Sequence, residues 1–422
     1  MQYKLTPPSG LNTTVKLPAS KSISNRALVI CALAGSDTLP ENLSDCDDTE
    51  VIISALRNNP YEINIKAAGT AMRFMTAYLA VTQGEHVITG TERMKHRPIG
   101  ILVDALKRLG ADIEYVGEDG YPPLRIRGRQ LEGGELDIAG NVSSQYISAL
   151  LMIGPVLSKG LTLHLTGDII SRPYIDLTLW MMREFGADAE WSSVDTIVIK
   201  PQPYKKRDYY IESDWSAASY WFEMVALSRR QDDVVKLTGL MDGSKQGDSI
   251  VRYIFSLLGV KTTFEGHEQG VPTTVKLRNT GRCVQRLEYD FVSAPDLAQT
   301  FVACCCLMGV HFRFTGLQTL KIKETDRIEA LKAEMLKLGY VVSDVDDKEL
   351  VWDGERCDPA CDMGIDTYED HRMALAFAPL ALKRGEMLIN NPHVVTKSYP
   401  HYWTDLTAAG FSVTANEGET IQ

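Results

Sequence analysis

Apolar and polar positions along the chain divide it into two kinds of helix and many short strands. The first kind is amphipathic, ends on an apolar residue followed by Gly, and leads into a strand: ILVDALKRLGADIEYV, IDLTLWMMREFGADAEW, IVRYIFSLLGVKTTF, IEALKAEMLKLGYVVSDV and YWTDLTAAGFSVTAN. The glycines are Gly110, Gly186, Gly259, Gly339 and Gly410. They recur every 70–80 residues or so, a repeat period, and glycine just past a helix is the expected left-handed cap. An earlier copy, TEVIISALRNNPYEINI, has Asn58-Asn59 where the others have Gly. The second kind of helix is apolar nearly all round, which predicts a buried position. Its members begin near SNRALVICALA, TAMRFMTAYLAV, SSQYISALLMIGPV, DWSAASYWFEMVAL, SAPDLAQTFVACCC and EDHRMALAFAPLAL.

Short runs of period two, such as HVITG, LRIRG, LTLHLTG, VVKLTGL and FRFTGL, lie between the helices and predict strands. Each repeat therefore has the order strand–helix–strand–helix–strand–strand, and six of them fill the chain. A single hydrophobic core stops growing at roughly 250–300 residues, so the 422 residues predict two domains of three βαβαββ repeats. An ordinary doubly wound α/β enzyme would not give such even spacing.

Composition adds a class and a compartment. At 44% hydrophobic and 23% charged residues the chain is an ordinary globular one, and its net charge of −11 argues against nucleic acid as a partner. The first residues, MQYKLTPPSG, have no signal-peptide character, and the longest apolar runs, ISALLMIGPVL and FVACCCLMGV, are too short to span a bilayer. None of the eight cysteines forms a CxxC pair, Cys304, Cys305 and Cys306 read as small buried hydrophobes, and Cys357 and Cys361 lack histidine partners for zinc. The expectation is a soluble, reduced, cytoplasmic protein that works without metal, membrane or nucleic acid.

Candidate chemistry comes from charge in unfavourable places. A helix start already carries about half a positive charge, yet this chain puts cations there repeatedly. Arg26 follows Lys21-Ser22 by one turn, Arg73 follows Gly69-Thr70, and Arg97 and Arg172 each precede a proline. Lys323 and Arg327 are a like-charge i,i+4 pair, Arg372 opens a helix, and Lys397 precedes another. Any one of these could be a solvated surface charge. As a set they predict a basic cleft for a small polyanion, with backbone N–H groups, hydroxyls and guanidinium forks as its lining. There is no GxxxxGK[ST], GxGxxG, HExxH or GxSxG, so ATP and NAD are poor candidates.

Nine segments in order carry a resemblance: PASKSISNRAL, AAGTAMRF, RMKHRPIG, SSQYISALL, SRPYIDLT, SAPDLAQT, KETDRIEA, DHRMALAFAPLAL and TKSYPHY. Together they resemble the 5-enolpyruvylshikimate-3-phosphate synthase family over essentially the whole chain. The resemblance implies the inverted α/β barrel of enolpyruvyl transferases, with one domain at residues 20–212 and a discontinuous one at 1–19 and 213–422. It implies transfer of the enolpyruvyl group of phosphoenolpyruvate to the 5-hydroxyl of shikimate 3-phosphate, with release of phosphate. The reaction would run through a tetrahedral ketal in a closed interdomain cleft, with no organic cofactor and no metal. The expected state is a monomer.

By the same resemblance Lys21, Ser22, Arg26, Ser143, Ser144, Ser171 and Tyr174 would hold shikimate 3-phosphate, with Asp296 and Lys323 beside it. Lys21, Gly69, Thr70, Arg97, Gln145, Arg327, Arg372 and Lys397 would surround phosphoenolpyruvate. In that reading Arg97 and Lys397 meet its phosphate, and Arg327 and Arg372 meet its carboxylate as planar forks. Asp296 is the candidate base toward the 5-hydroxyl, and Lys21 and Glu324 are candidates for proton transfer at the methylene. Without the resemblance, Asp296 reads equally as a helix cap after Pro295, and Asp370-His371 likewise.

Two positions depart from the family pattern: Ala67 stands before the AGT motif where Asn is common, and Thr319 stands four residues before Lys323 where Asn is often found. Two rival readings stay open at this stage. UDP-N-acetylglucosamine enolpyruvyl transferases share the repeat but use a loop cysteine, which GTERMKHRP lacks. A non-catalytic anion- or RNA-end-binding relative is the other, and it would have no use for the Lys21, Asp296 and Glu324 set.

Overall fold

A computed structural model describes residues 1–228, 230–266, 268–360 and 364–415. The chain divides into two compact units, Met1–Pro18 with Glu212–Gln422, and Ala19–Ile211. Each has its own hydrophobic core.

At the centre of the Ala19–Ile211 unit three apolar helices pack on one another: Lys21–Leu33, Gly69–Val81 and Ser144–Ile153. In the other unit Trp215–Leu227, Ala298–Met308 and the His371–Phe377 helix with its continuation Ala378–Leu380 do the same. Every residue of Trp215–Leu227 except Ser216 is buried, and all of His371–Phe377 is. This is why helices apolar all round take the interior. The amphipathic helices, such as Asp47–Asn58, Arg172–Glu184 and Arg327–Lys337, lay one face on that centre. Gly110, Gly186, Gly259, Gly339 and Gly410 all have φ between 83° and 100°, and Asn59 has φ 41°, so the repeating stop signal is a left-handed cap in all six places.

Sheets cover the helices with one face to solvent, which gives the alternating burial of strands such as Leu161–Thr166 and Thr196–Ile199. Four sheets share one pattern. In Glu62–Asn64, Gly84–Thr89, Asp112–Tyr115 and Leu124–Gly128, the first strand pairs parallel with the second, the second antiparallel with the fourth, and the fourth antiparallel with the third. The other three four-stranded sheets repeat that order.

The α/β class stands, and two details change. Among the described residues six helix pairs are present, but only four repeats carry a complete four-stranded sheet. The first has a single bridge, Glu41 to Tyr210, because its flanking segments SDTLPENLSDC and QPYKKRDYY offer no period-two apolar run. The last has a three-stranded sheet with the Gln2–Thr6 strand in its middle. Among the described strands the sheets stay open and none closes into a barrel.

Candidate active site

In the Ala19–Ile211 unit the candidate residues gather at the starts of the three central helices. Ser20 caps the first, its hydroxyl accepting from the Ile23 N–H at 3.4 Å, and Lys21 and Ser22 form the opening turn. Lys21 Nζ lies 3.4 Å from a carboxylate oxygen of buried Asp48. The second helix begins directly with Gly69 and Thr70 after Ala68, with no side-chain cap. Ser143 caps the third by accepting from the Gln145 N–H, and the Gln145 side-chain amide donates to the Thr70 hydroxyl at 3.1 Å. None of the three first turns contains an acidic residue. Backbone N–H groups at helix starts of this kind suit an anion.

Arg97 lies over this opening. A Cβ built on Gly69 would sit 2.6 Å from one Arg97 guanidinium nitrogen and 3.0 Å from its central carbon. Gly69 has no left-handed φ, so glycine is needed there for the approach of Arg97 rather than for a turn. The loop bearing Arg97 is pinned through the Pro98 carbonyl, which accepts from Arg73 at 3.0 Å and from the Tyr146 hydroxyl. Ser171 has φ 54° and ψ 36°, a strained conformation for serine, directly before the helix that carries Tyr174 in its first turn.

Three of the helix-start arginines are structural members in this structure. Arg26 is buried; it donates to the Thr178 hydroxyl (2.7 Å), the Ser22 carbonyl (2.9 Å), the Ser148 hydroxyl (3.1 Å) and the Tyr174 carbonyl (3.4 Å). Burial lowers its pKa to about 10. It thus ties Ser22 to Tyr174, with most of its donors committed to protein. Arg73 is buried and braces the Pro98 loop. Arg172 turns aside and stacks on Trp191, 4.0 Å from the ring centre, donating to the Val194 carbonyl.

The other unit assembles a different cluster. Asp296 lies in a one-turn 3₁₀ helix, Pro295–Leu297, ahead of Ala298–Met308, and its side chain caps nothing. One of its oxygens meets Arg327 (2.8 Å) and Lys323 (3.3 Å), and the other meets Arg372 (3.2 Å). Burial alone would raise its pKa; the charges of Arg372, Lys323 and Arg327 outweigh it and hold the carboxyl well below the usual range.

Arg327 is only 1% exposed and directs its nitrogens at three carboxylates: Asp370 through two N–H groups (2.6 and 3.2 Å), Asp296 (2.8 Å) and Glu324 (2.8 Å). Glu324 offers its second oxygen to Lys397 at 3.0 Å. Arg372 also donates to the Tyr220 hydroxyl at 3.3 Å. Asp370 does cap a helix, accepting from the Arg372 N–H at 2.9 Å, and it grips the Arg327 fork as well. The fork of Arg327 therefore faces Asp370, and its planar recognition is spent first on a protein carboxylate.

Several members of these clusters were invisible to motif reasoning. Asp48 belongs to an amphipathic helix with no visible link to Lys21, and Tyr220 sits mid-helix in an apolar run. Gln299 is fully buried one turn after Asp296; turned with nitrogen toward the Asp296 carbonyl (3.2 Å) and oxygen toward Arg327 Nε (2.9 Å), its amide bridges the two. Asp248, held by the Ser216 hydroxyl, is raised to about 6 by burial despite the nearby Arg372 charge. Among the described residues no three His, Cys, Asp or Glu side chains form a metal-like group, and Cys361 lies outside those residues. No described helix is long and apolar enough to cross a membrane.

The sequence also matches a family model, "EPSP synthase (3-phosphoshikimate 1-carboxyvinyltransferase)", over residues 5–59 and 58–406. A 3-phosphoshikimate 1-carboxyvinyltransferase of Bacteroides fragilis is 58% identical over 99% of this chain and 100% of that protein. One from Aliivibrio fischeri is 36% identical over 95% of this chain and 98% of that protein. Among solved structures, an EPSP synthase of Acinetobacter baumannii superimposes with a TM-score of 0.77 at 21% identity, covering 98% of this chain and 100% of that one.

Proposed function

The chain belongs to the EPSP synthase (3-phosphoshikimate 1-carboxyvinyltransferase) family, and on that premise we propose a role for each side chain of the two clusters. The enzyme transfers the enolpyruvyl group of phosphoenolpyruvate to shikimate 3-phosphate, in the shikimate route to aromatic amino acids. The helix-start cluster holds the anions. Lys21, Ser22, Ser143, Ser144, Ser171 and Tyr174 bind shikimate 3-phosphate, with Arg26 fixing Ser22 and Tyr174 from beneath. Gly69, Thr70, Gln145 and Arg97 receive the phosphate of phosphoenolpyruvate, and Lys397 is a further cation for it.

The Asp296 cluster handles protons. The 5-hydroxyl attacks the enol carbon and gives its proton to Asp296, while the methylene takes one from Glu324 or Lys21. A ketal phosphate results. The bond to phosphate then breaks, the methyl group loses a proton, and the enol ether remains. A carboxylate held so far down by three cations is a weak base. Arrival of the phosphoenolpyruvate carboxylate on Arg372 and Arg327 takes up part of that charge, and Asp296 becomes basic when its substrate is in place. We take expulsion of water from around the bound substrates to strengthen these contacts and to hold the reacting groups in geometry. A cytoplasmic monomer completes the proposal.

The observation that carries these roles is the single carboxylate, Asp296, faced by Lys323, Arg327 and Arg372. Phosphate release from phosphoenolpyruvate, followed first with shikimate 3-phosphate and then with UDP-N-acetylglucosamine, is the test. Release with the first acceptor alone is expected; release with the second would overturn the acceptor assignment.

A further inference from the structure

We infer that Tyr368, outside both clusters, is a positioning residue for Arg327 and Arg372, acting through its hydrogen bond to Glu334. The segment leading to Asp370 runs along the helix Arg327–Lys337 like a strap with three fasteners. At one end Asp366 pairs with Lys337 at 2.7 Å, and its backbone N–H donates to Glu334 at 3.1 Å. In the middle the Tyr368 hydroxyl donates to the other oxygen of Glu334 at 2.6 Å. At the far end Asp370 grips the fork of Arg327 and caps the turn that begins with Arg372. Glu334 is completely buried and stands two turns from Arg327 on the same helix.

The strap is strained where the middle fastener holds it. Tyr368 (φ 52°) and Glu369 (φ 55°) are consecutive non-glycine residues in the left-handed region, directly before Asp370. That conformation is unfavourable for both side chains and persists only when the surroundings impose it. The Asp370 N–H returning to the Thr367 carbonyl at 2.7 Å closes the turn but does not hold it to the helix. The Tyr368–Glu334 bond does, and it thereby sets where Asp370 presents its carboxylate to Arg327. Without it the strained pair can relax, and Asp370, Arg327 and Arg372 shift as a group.

This inference rests on the proposed roles of Arg327, Arg372 and Asp296. Tyr368→Phe removes the hydroxyl alone. It should lower kcat/KM for phosphoenolpyruvate on the order of 10-fold, as small misplacements of positioning groups do, while the Kd for shikimate 3-phosphate stays unchanged. Glu334→Leu, which also removes the acceptor of the Asp366 N–H and the partner of Lys337, should lose at least as much, and Glu334→Gln, which keeps an acceptor for the hydroxyl, should retain most activity. The double variant Tyr368→Phe/Glu334→Leu should lose little more than Glu334→Leu alone, because the Tyr368 bond is already gone in that single variant. A wild-type kcat/KM in Tyr368→Phe, or equal losses for both substrates, would overturn the inference. If Tyr368→Phe does not fold, the Glu334→Leu and Glu334→Gln pair decides it alone: equal activities would sink it. Asp296→Asn run alongside separates the two levels. Full turnover in that variant removes the proposed roles, whereas a dead Asp296→Asn beside a normal Tyr368→Phe removes only the strap.

Discussion

Both units are built around three packed apolar helices, and they treat the starts of those helices in opposite ways. In Ala19–Ile211 the first residues are Lys21-Ser22, Gly69-Thr70 and Ser144-Gln145, with Ser20, Ala68 and Ser143 at the cap positions. In the other unit Asp214 caps Trp215–Leu227, accepting from two N–H groups at 2.7 and 3.1 Å; Asp296 precedes Ala298–Met308; and Asp370 caps His371–Phe377. A helix start capped by its own carboxylate has little need of an external anion, while one capped by hydroxyls or left open still does. On the proposed roles, one architecture supplies an anion receptor in one half. In the other it supplies carboxylates that must be balanced by Lys323, Arg327 and Arg372, and that balance is what proton chemistry requires.

The sharpest way to break this contrast is Asp296→Asn. The amide keeps the size and cannot take a proton, so turnover should fall about 10³-fold, within the range of a lost general base. Shikimate 3-phosphate binding, read by titration calorimetry, should change only modestly, because most of the residues proposed to hold it sit in the other unit. Turnover within a factor of a few of wild type would remove the proton-handling role from this unit.

The acidic character of that unit reaches into its core. Glu223, on Trp215–Leu227, is fully buried with no hydrogen-bond partner for either oxygen, and burial raises its pKa well above the ordinary value. A raised folded pKa gives stability that is fully present below the unfolded pKa, about 4.3, and is lost as pH rises. Wild type should therefore weaken relative to Glu223→Leu from about pH 4.5 upward, by at most about 1.4 kcal/mol per pH unit. Urea unfolding of the two proteins at pH 5, 6.5 and 8 checks the sign; a constant difference across that range would mean that Glu223 does not titrate there.

In the receptor half, Arg97→Lys should raise the phosphoenolpyruvate KM about 10-fold, with kcat and shikimate 3-phosphate binding little changed, since a point charge does not replace a planar fork. An unchanged KM would place Arg97 outside the donor site.

How far these clusters could be seen in the chain differs between the halves for a physical reason. Lys21 announces itself, because a cation at a helix start is locally unfavourable and so reads as function; Gly69 and Thr70 came into view only through the family resemblance, and Arg97 lies in the loop ahead of Gly100–Arg108. The repeating glycine caps are equally plain, since a left-handed residue excludes most side chains. Asp296, by contrast, looked as much like a cap as a base, and only the convergence of Lys323, Arg327 and Arg372 on it separates the two. Asp48, Tyr220 and Gln299 had no local signal at all; their partners are set by how helices pack on one another and not by any spacing within one motif. The missing sheet of the first repeat lay hidden behind its regular helices, which kept the six-unit rhythm while the strands between them faded.

The smallest expected effect is at Gly69, where it also says most about how the receptor is built. A methyl added there would come within 2.6 Å of an Arg97 nitrogen and 3.1 Å of an Arg73 nitrogen. Arg73 is locked by the Gly69 and Pro98 carbonyls, whereas Arg97 is half-buried and is the group that can yield. Overpacking of this kind costs about 1–3 kcal/mol where nothing can move, and less where a guanidinium can swing away. Backbone strain does not enter, because Gly69 has ordinary helical geometry. Gly69→Ala should therefore melt like wild type, leave the shikimate 3-phosphate KM alone, and raise the phosphoenolpyruvate KM about threefold by displacing Arg97. Since the methyl acts through Arg97, the double variant Gly69→Ala/Arg97→Lys should be less than additive. Full additivity would mean that the methyl meets the donor directly, and a large fall in Tm would mean that the helix start itself cannot tolerate a side chain.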